Sequence, residues 1–199
     1  MSDLEKIDPA RTALLVMDYQ NGIIAMIEDG DTLVEKVAGL ISTFREHGAQ
    51  IGYVRVAFTE EDLADVKPTA NMPKRIAAMG GATPGSPMHA DSPTTQIHDA
   101  LAPQDGDIVV RKTRVGPFGT TDLYEQLQSR GIDTLVLAGI STSGVVLSTV
   151  RDAHDEDYRL IVLEDACADR DPEVHTLLTQ KVFPSQADVI NSSELSSLL

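Results

Sequence analysis

Three polar features of the sequence directly follow apolar runs, at points where buried strands would end. Asp18 closes the run TALLVMD, Lys112 closes DIVVRK, and the turn GISTSG (139–144) follows TLVLA. Ligands of open α/β sheets bind beyond the carboxyl ends of the strands. A carboxylate beside an ammonium in a closed pocket could move a proton onto or off a substrate, so Asp18 and Lys112 are candidates for acid–base chemistry. The alternative is structural: Asp18 would cap the following turn, and Lys112 would be a surface charge.

The turn at 139–144 lacks the features of the common phosphate-binding and nucleophile motifs. Val145 and Val146 follow it where a P-loop needs Lys and Ser or Thr. It has no third glycine for a dinucleotide motif, and Ser143 stands where a nucleophile elbow needs glycine. It does resemble a helix N-terminus, whose free N–H groups could receive an anion or a developing oxyanion.

Histidine and cysteine form no constellation in the sequence. The five histidines have no paired or i, i+4 spacing, so we predict neither a metal site nor a cofactor. Cys167 is the only cysteine, and we interpret it as a small buried residue, with a role in a pocket as the alternative. A lone cysteine excludes an intrachain disulfide and fits a reducing compartment, so we expect a cytoplasmic protein.

The elements that would position these residues are six short apolar runs, typical of strands buried on both faces of a sheet. The runs occupy residues 12–17, 50–56, 107–110, 134–138, 159–163 and 187–190. Amphipathic patterns typical of helices lie between most of them, at 31–47, 121–130, 143–157 and 172–182. This alternation predicts an α/β fold with a parallel, doubly wound sheet.

Residues with capping propensity flank the predicted helices. Gly48 and Gly131 stand at expected C-caps, and Thr120, Thr121 and Asp171 stand at expected N-caps. These positions support the helix boundaries.

The segment 59–93 is the exception to the alternation. It is rich in proline and glycine, shows few helix or strand signals and is too long for an ordinary connection. A loop of this length over the strand ends is either a substrate lid or a surface covering, and both interpretations stay open.

Composition limits the classes of molecule that this protein is expected to bind. A length of 199 residues fits one domain, 1–199. With 16 basic and 31 acidic residues the net charge is −15, which repels nucleic acid and anionic lipid. No stretch approaches the ~20 apolar residues of a membrane span. We therefore expect neither a nucleic-acid nor a membrane partner.

Three motifs together resemble the isochorismatase-like hydrolase family, which includes isochorismatases, nicotinamidases and N-carbamoyl amidohydrolases. They are ALLVMDYQNG, VVRKTRVGPFGTTDL and TLVLAGISTSGVVLSTVRDAHDEDYRLIVLEDACAD, and the resemblance covers nearly the whole chain. It implies a Rossmann-like, three-layer α/β/α fold with a six-stranded parallel sheet. It also implies a homo-oligomer, most simply a dimer, and a cis peptide bond between Ile140 and Ser141.

The resemblance also assigns roles to individual residues. It implies that Asp18 and Lys112 are catalytic. The residues that it implies for substrate binding are Gln20, Phe118, Ser141 and Val145.

The sequence departs from the thiol-dependent members of that family at one position. Counting from Gly139, their cysteine nucleophile falls on Val145, whose side chain has no lone pair or proton to offer. Cys167 matches a position after the next strand. The family's cysteine-free branch, the isochorismatases proper, usually has glycine where this chain has valine. The histidine with which many nicotinamidases bind metal is also absent from the segment YVRVAFTEED.

The resemblance and the departure lead to one expectation and two alternatives. The expectation is a cofactor-free hydrolase of a small polar, anionic metabolite, with Asp18 as general acid or base. Lys112 would hold Asp18 or an anionic group, and the N–H groups of Ser141 and Val145 would form a polar cradle. The alternatives are a catalytically silent small-molecule binder and a structural subunit.

Overall fold

The computed structural model describes residues 4–64, 66–67 and 69–199. Its strands are β1 (Thr12–Met17), β2 (Gln50–Val56), β3 (Ile108–Lys112), β4 (Thr134–Ile140), β5 (Arg159–Ala168) and β6 (Asp188–Ile190). They form one sheet in the order β3-β2-β1-β4-β5-β6, and every neighbouring pair is parallel. The predicted six-stranded parallel sheet is confirmed, whereas the assignment of residues 1–199 to one domain stays a prediction.

The strand order reverses its direction at β1. From there the chain adds β2 and β3 on one side, then returns to add β4, β5 and β6 on the other. Connections that diverge from such a point leave a crevice beyond the carboxyl ends of the two central strands. The crevice therefore lies beyond β1 and β4.

Three strands extend further than their apolar runs predicted. β3 continues to Lys112, β4 to Ile140 and β5 to Ala168. Gly139 pairs with Cys167 and Ile140 with Ala168, after a register shift that follows Leu137. The runs ended at the first polar or small residue, but ladder hydrogen bonds use the backbone and continue past it.

Helices cover both faces of the sheet. They are α1 (Asn21–Ile24), α2 (Gly30–Glu46), α3 (Glu60–Ala64), α4 (Met72–Ala78), α5 (Leu123–Ser129), α6 (Leu147–Asp155) and α7 (Pro172–Leu177). A π-helical turn, Thr142–Val146, precedes α6, and another, Leu178–Val182, follows α7. The helix predicted at 143–157 therefore begins as a wider turn, directly beside the crevice.

Alternate residues of β1 enter two separate apolar cores. Leu14 and Val16 pack in the core that α2 covers, and Leu15 and Met17 pack in the core that α5 and α6 cover. Because successive side chains of a strand point to opposite faces, the two cores lie on the two sides of the sheet. The three-layer arrangement is thus confirmed.

The capping predictions were partly correct. The Asp171 side chain accepts hydrogen bonds from two backbone N–H groups of α7, as expected. Gly48 and Gly131 have positive φ angles of 78° and 68°, the conformation that helix ends favour in glycine. The N-cap of α5 is Asp122 rather than Thr120 or Thr121.

The segment 59–93 contains α3 and α4, which the sequence pattern missed. Thr59 and Asp62 cap α3 reciprocally: Thr59 N–H donates to Asp62 Oδ2 at 2.7 Å, and Asp62 N–H donates to Thr59 Oγ1 at 3.3 Å. Both helices are shorter than the window of about 11–18 residues in which amphipathic periodicity is recognised in a sequence. Asp65 and Pro68 of this segment lie outside the described residues.

Contacts with the sheet hold this segment in place. Arg111 Nη1 of β3 lies 2.6 Å from Asp62 Oδ2, and Phe58 N–H donates to Met88 O at 3.0 Å. No helix within the described parts of the chain is long and apolar enough to cross a membrane.

Candidate active site

Asp18 is the first residue after β1, where the backbone turns. Its φ of 59° lies in the left-handed region, which Asp adopts more readily than most residues other than glycine. Asp18 N–H donates to Val54 O at 2.7 Å, and Gln20 N–H donates to Asp18 O at 2.8 Å. The turn is therefore fixed from both sides and holds the Asp18 side chain at the end of the strand.

Asp18 and Lys112 form a buried ion pair. Lys112 Nζ and Asp18 Oδ2 are 2.8 Å apart, and the two side chains are 3% and 7% exposed. Lys112 is the last residue of β3, and β2 lies between β3 and β1 in the sheet. The pair therefore spans the ends of three neighbouring strands. Lys112 Nζ also donates to Arg114 O at 3.3 Å. The expected proximity of these two groups is confirmed.

The two oxygens of Asp18 have different surroundings. Burial raises the pKa of the Asp18 carboxyl from 3.8 to about 6, although the charge of Lys112 and its hydrogen bond lower it. Oδ2 accepts from Lys112, whereas Oδ1 is buried and accepts no hydrogen bond from the described residues. Oδ1 therefore keeps its capacity to accept a hydrogen bond, and the raised pKa brings the ionisation of this carboxyl close to neutral pH.

The turn after β4 brings a second set of polar groups to the same edge. The peptide bond between Ile140 and Ser141 is cis, as predicted. A Cβ on Gly144 would lie 2.6 Å from Ser141 Oγ, so only glycine allows this close approach. Ser143 N–H donates to Asp169 Oδ2 at 2.7 Å, which fixes the start of the π-helical turn.

A cavity of about 450 Å³ joins these turns. Asp18, Lys112, Ser141 and Val145 all line it, so four of the six predicted site residues come together. A further wall comes from α4, so the segment 59–93 borders the site itself. Its action as a moving lid stays a prediction.

The charged residues around the cavity are mostly basic. Arg75, Arg114 and Arg170 line it together with Lys112, and Asp18 is the acidic residue among the lining side chains. Four of the 16 basic residues, but one of the 31 acidic ones, are therefore gathered here. In a chain of net charge −15, this concentration favours an anionic ligand.

Gln20 and Phe118 do not line this cavity, and their assignment to substrate binding stays a prediction. Gln20 Nε2 donates to Val56 O at 2.8 Å and to Thr95 O at 2.7 Å, and its Oε1 accepts from Val56 N–H at 2.8 Å. Its amide fastens the Asp18 turn to β2 and to the segment before β3. Phe118 packs against two tyrosine rings, with centroids 6.4 and 6.5 Å away.

Cys167 is a core residue. Its side chain is buried beside Leu137 and does not line the cavity. Burial raises the pKa of its thiol to about 12, although the Gly139 N–H lowers it by donating to the sulfur. Such a thiol carries almost no thiolate at neutral pH. The interpretation of Cys167 as a small buried residue is confirmed.

One histidine, His175, makes a structural contact at the edge of the sheet where the strands end. His175 Nδ1 lies 2.8 Å from Thr142 Oγ1 and ties α7 to the π-helical turn. The described residues contain no cluster of three or more His, Cys, Asp or Glu side chains suited to a metal ion.

Sequence reasoning missed the arginines and methionines of the cavity. Arg170 lies two residues after β5, so the rule that strand ends carry function could have found it. Arg114 follows Lys112 by two residues within the motif VVRKTRVGPFGTTDL, but no role was predicted for it. Arg75 and Met72 belong to α4, and no local signal relates that helix to the strand ends.

Comparisons with known proteins agree with this fold. Residues 12–194 match the family described as isochorismatase domain. The isochorismatase family protein YwoC from Bacillus subtilis, itself uncharacterized, is 37% identical over 92% of this chain and 92% of its own length. Maleamate amidohydrolase from Pseudomonas putida is 27% identical over 92% of this chain and 84% of its own. The structure of an isochorismatase family protein from Burkholderia thailandensis superposes with a TM-score of 0.82 at 29% identity, covering 99% of both chains.

Proposed function

Because the chain belongs to the isochorismatase family, we propose that it is a hydrolase that acts on a small anionic metabolite through Asp18 and water, without a cysteine nucleophile. The observation that carries the proposal is the buried Asp18–Lys112 pair at the cavity, in which Asp18 Oδ1 has no partner among the described residues. A carboxyl group with a pKa of about 6 is suited to general acid–base catalysis near neutral pH.

In the proposed reaction, Asp18 transfers a proton through Oδ1. Acting as an acid on an amide, it protonates the leaving nitrogen while water adds to the carbonyl carbon and loses a proton, so the C–N bond is replaced by a C–OH bond. On a vinyl ether it protonates the terminal carbon of the double bond, water adds to the oxygen-bearing carbon and loses a proton, and the resulting hemiketal splits into a ketone and an alcohol. In both cases Asp18 regains its proton. Acting as a base, it would instead take the proton of the attacking water. Lys112 stabilises the carboxylate form in either direction.

Two observations support a route without a thiol. Val145 lines the cavity at the position where the thiol-dependent members would carry their nucleophile, and valine cannot attack a substrate. Cys167 is buried away from the cavity, and its pKa of about 12 keeps it protonated.

The turn at Ser141 would stabilise negative charge that develops on the substrate. We assign this role to the N–H groups of Ser141 and Val145, as a polar cradle beside Asp18. Fixed N–H donors in a site that excludes water are effective because they need not reorganise during the reaction.

The basic side chains around the cavity support an anionic substrate. Arg75, Arg114 and Arg170 are absent from the ion pairs formed among the described residues. Maleamate, the compound in the name of the Pseudomonas putida relative, is an amide that also bears a carboxylate. A carboxylate-bearing substrate therefore fits both the charges of the site and the chemistry of a relative.

The second candidate function is a small-molecule binder that has lost catalysis, and Val145 is the observation that favours it. The buried Asp18–Lys112 pair argues against a binder, because binding alone has less need of an acid paired with an ammonium. A structural subunit is the third candidate, and it requires no cavity of this composition.

A turnover screen tests the proposal. Wild type, Asp18→Asn and Cys167→Ala are incubated with carboxylate-bearing amides and vinyl ethers, and product formation is followed. Hydrolysis that requires Asp18 but not Cys167 supports the proposal. Binding without turnover in every variant identifies a binder, and turnover that requires Cys167 overturns the proposed route.

Two further properties belong to the proposal. We propose a homo-oligomer, most simply a twofold dimer, because soluble enzymes commonly form closed symmetric assemblies. We also propose a cytoplasmic location, because the only cysteine is a buried free thiol that fits a reducing compartment.

A further inference from the structure

One face of α4 borders the cavity. Met72, Arg75 and Ile76 of α4 line it together with Met79, the C-cap residue that follows Ala78, and the spacing of i, i+3, i+4 and i+7 places the four on the same side. Most of this face is apolar, and it carries one cation. A ligand that fills the cavity therefore contacts both kinds of surface.

Methionines are numerous around the cavity, and two of them are exposed. Four of the six methionines of the chain line it: Met26, Met72, Met79 and Met88. Met26 is 50% exposed and Met79 45% exposed. Exposed apolar side chains gathered at one opening mark a binding surface, and the flexible thioether adapts to ligands of different shape.

Arg75 is exposed on α4, and within the described residues it makes no ion pair. Arg45 and Arg111, by contrast, are paired with Asp107 and Asp62. With 31 acidic residues in the chain, an arginine kept apart from carboxylates beside a cavity is suited to bind an external anion.

α4 is anchored on the side of Ile76. Ile76 is buried against Phe58 and Ala82, and Gly81 N–H donates to Ile76 O at 2.9 Å. Met72 packs against the same cluster, so Ile76 and Met72 together hold the helix in place, whereas the exposed Arg75 and Met79 can be replaced without removing that anchor.

We infer that α4 determines substrate choice: the substrate carries an apolar portion of several carbon atoms that packs on Met72 and Met79, and an anionic group that reaches Arg75. This inference rests on the proposed function, and it narrows the substrate from a small polar anion to an amphiphilic carboxylate. The cavity of about 450 Å³ lies within the ~300–1,000 Å³ of typical ligand sites.

Binding of straight-chain carboxylates to the full chain tests the inference. The probes are acetate, butyrate, hexanoate and octanoate, with hexanamide as the uncharged match of hexanoate, and the readout is calorimetry. Each added methylene should lower the Kd about three- to fourfold until the cavity is filled, the factor expected for burying one CH₂. Hexanoate should bind more tightly than hexanamide.

Variants of α4 and of the Met79 that follows it separate the contribution of the apolar chain to affinity from that of the anionic group. Arg75→Gln should remove the preference for hexanoate over hexanamide, and Arg75→Lys should restore part of it. Met79→Ser, at an exposed position outside the cluster that anchors α4, should weaken the dependence on chain length and leave the charge preference. Arg130→Gln, an exposed arginine on α5's C-terminal side and outside the cavity, is the matched control and should change neither.

The outcomes distinguish this inference from the proposed function. Affinities that do not depend on chain length, absence of binding, or an Arg75→Gln effect no larger than that of Arg130→Gln overturn the inference. If Asp18-dependent hydrolysis is nevertheless observed, the proposed function stands without it. If the probes bind as expected but no substrate is hydrolysed, the ligand class stands and the proposed function fails.

Discussion

Lys112 Nζ donates to Asp18 Oδ2 at 2.8 Å, and the other oxygen of this buried carboxyl group, Oδ1, has no hydrogen-bond partner among the residues that the structure describes. The ammonium therefore orients the carboxyl and moderates its pKa, while the opposite oxygen stays available to a ligand. Each prediction below follows from this pair or from the turn that faces it.

Asp18→Asn should lower turnover by about 10²- to 10⁴-fold, the usual effect of losing a general acid or base. Cys167→Ala and treatment with iodoacetamide should leave turnover near wild type, because the thiol is buried and protonated. Initial rates on any substrate found in the screen measure both effects, and circular dichroism verifies folding. Loss of turnover in folded Cys167→Ala would contradict this assignment.

The pH dependence of kcat/KM should show an inflection near pH 6, because it follows the ionisation of Asp18 in the free enzyme. In Lys112→Gln the inflection should move to higher pH, since removing the ammonium removes the influence that lowers the Asp18 pKa. An inflection that stays at the same pH in Lys112→Gln would show that another group titrates.

The pH dependence of the free energy of unfolding should also reflect the raised pKa of Asp18. Its carboxyl has a pKa of about 6 in the folded chain and an ordinary value of 3.8, so between these values the folded state binds more protons than the unfolded state. The contribution of Asp18 to the free energy of unfolding therefore falls as pH rises from about 4 to 6, by about 3 kcal/mol in total. Denaturant unfolding of wild type and Asp18→Asn at pH 4 and 7 measures it: the variant should gain stability relative to wild type at the higher pH.

Gly144→Ala should destabilise the chain by about 1–3 kcal/mol, because the added methyl meets Ser141 Oγ. Ser141→Ala removes the clashing atom, so the double variant should recover most of the lost stability. Gly39→Ala, where a Cβ meets nothing within 4 Å, is the control. Additive effects in the double-mutant cycle would show that the two positions do not interact.

Val145→Cys should introduce amidase activity, because cysteine is close to valine in size and position 145 lines the cavity beside Asp18. Release of ammonia from carboxylate-bearing amides measures the gain. Val146→Cys is the matched control, since Val146 is buried and does not line the cavity. If neither variant is active, the cavity is no longer arranged for a covalent route.

The principal strands and the acid–base pair could be predicted from the sequence for local reasons. β1 and β2 have the predicted bounds because a strand buried on both faces is largely apolar, as β1 is throughout and β2 is at its centre. Asp18 and Lys112 could be placed together because parallel strands bring their carboxyl ends to one edge. Neither inference required knowledge of side-chain packing.

The lining of the cavity was decided by tertiary structure. Gln20 stands beside Asp18 in a motif, but its amide bonds to residues 36 and 75 positions away and so fastens the fold. Arg75 and Met72 reach the cavity because Asp62 and Phe58 hold their segment against the sheet, through contacts up to 49 residues apart in sequence.

The sequence by itself therefore determined the α/β architecture and the chemical groups at the strand ends, since these follow from hydrophobic periodicity and from the polarity of parallel strands. Only the tertiary structure decided that Asp18 Oδ1 lacks a partner among the described residues, that Cys167 is buried with a raised pKa, and that arginines and methionines line the cavity. Burial and hydrogen-bond partners depend on residues distant along the chain, and these set the pKa of a carboxyl or a thiol and the shape of a cavity.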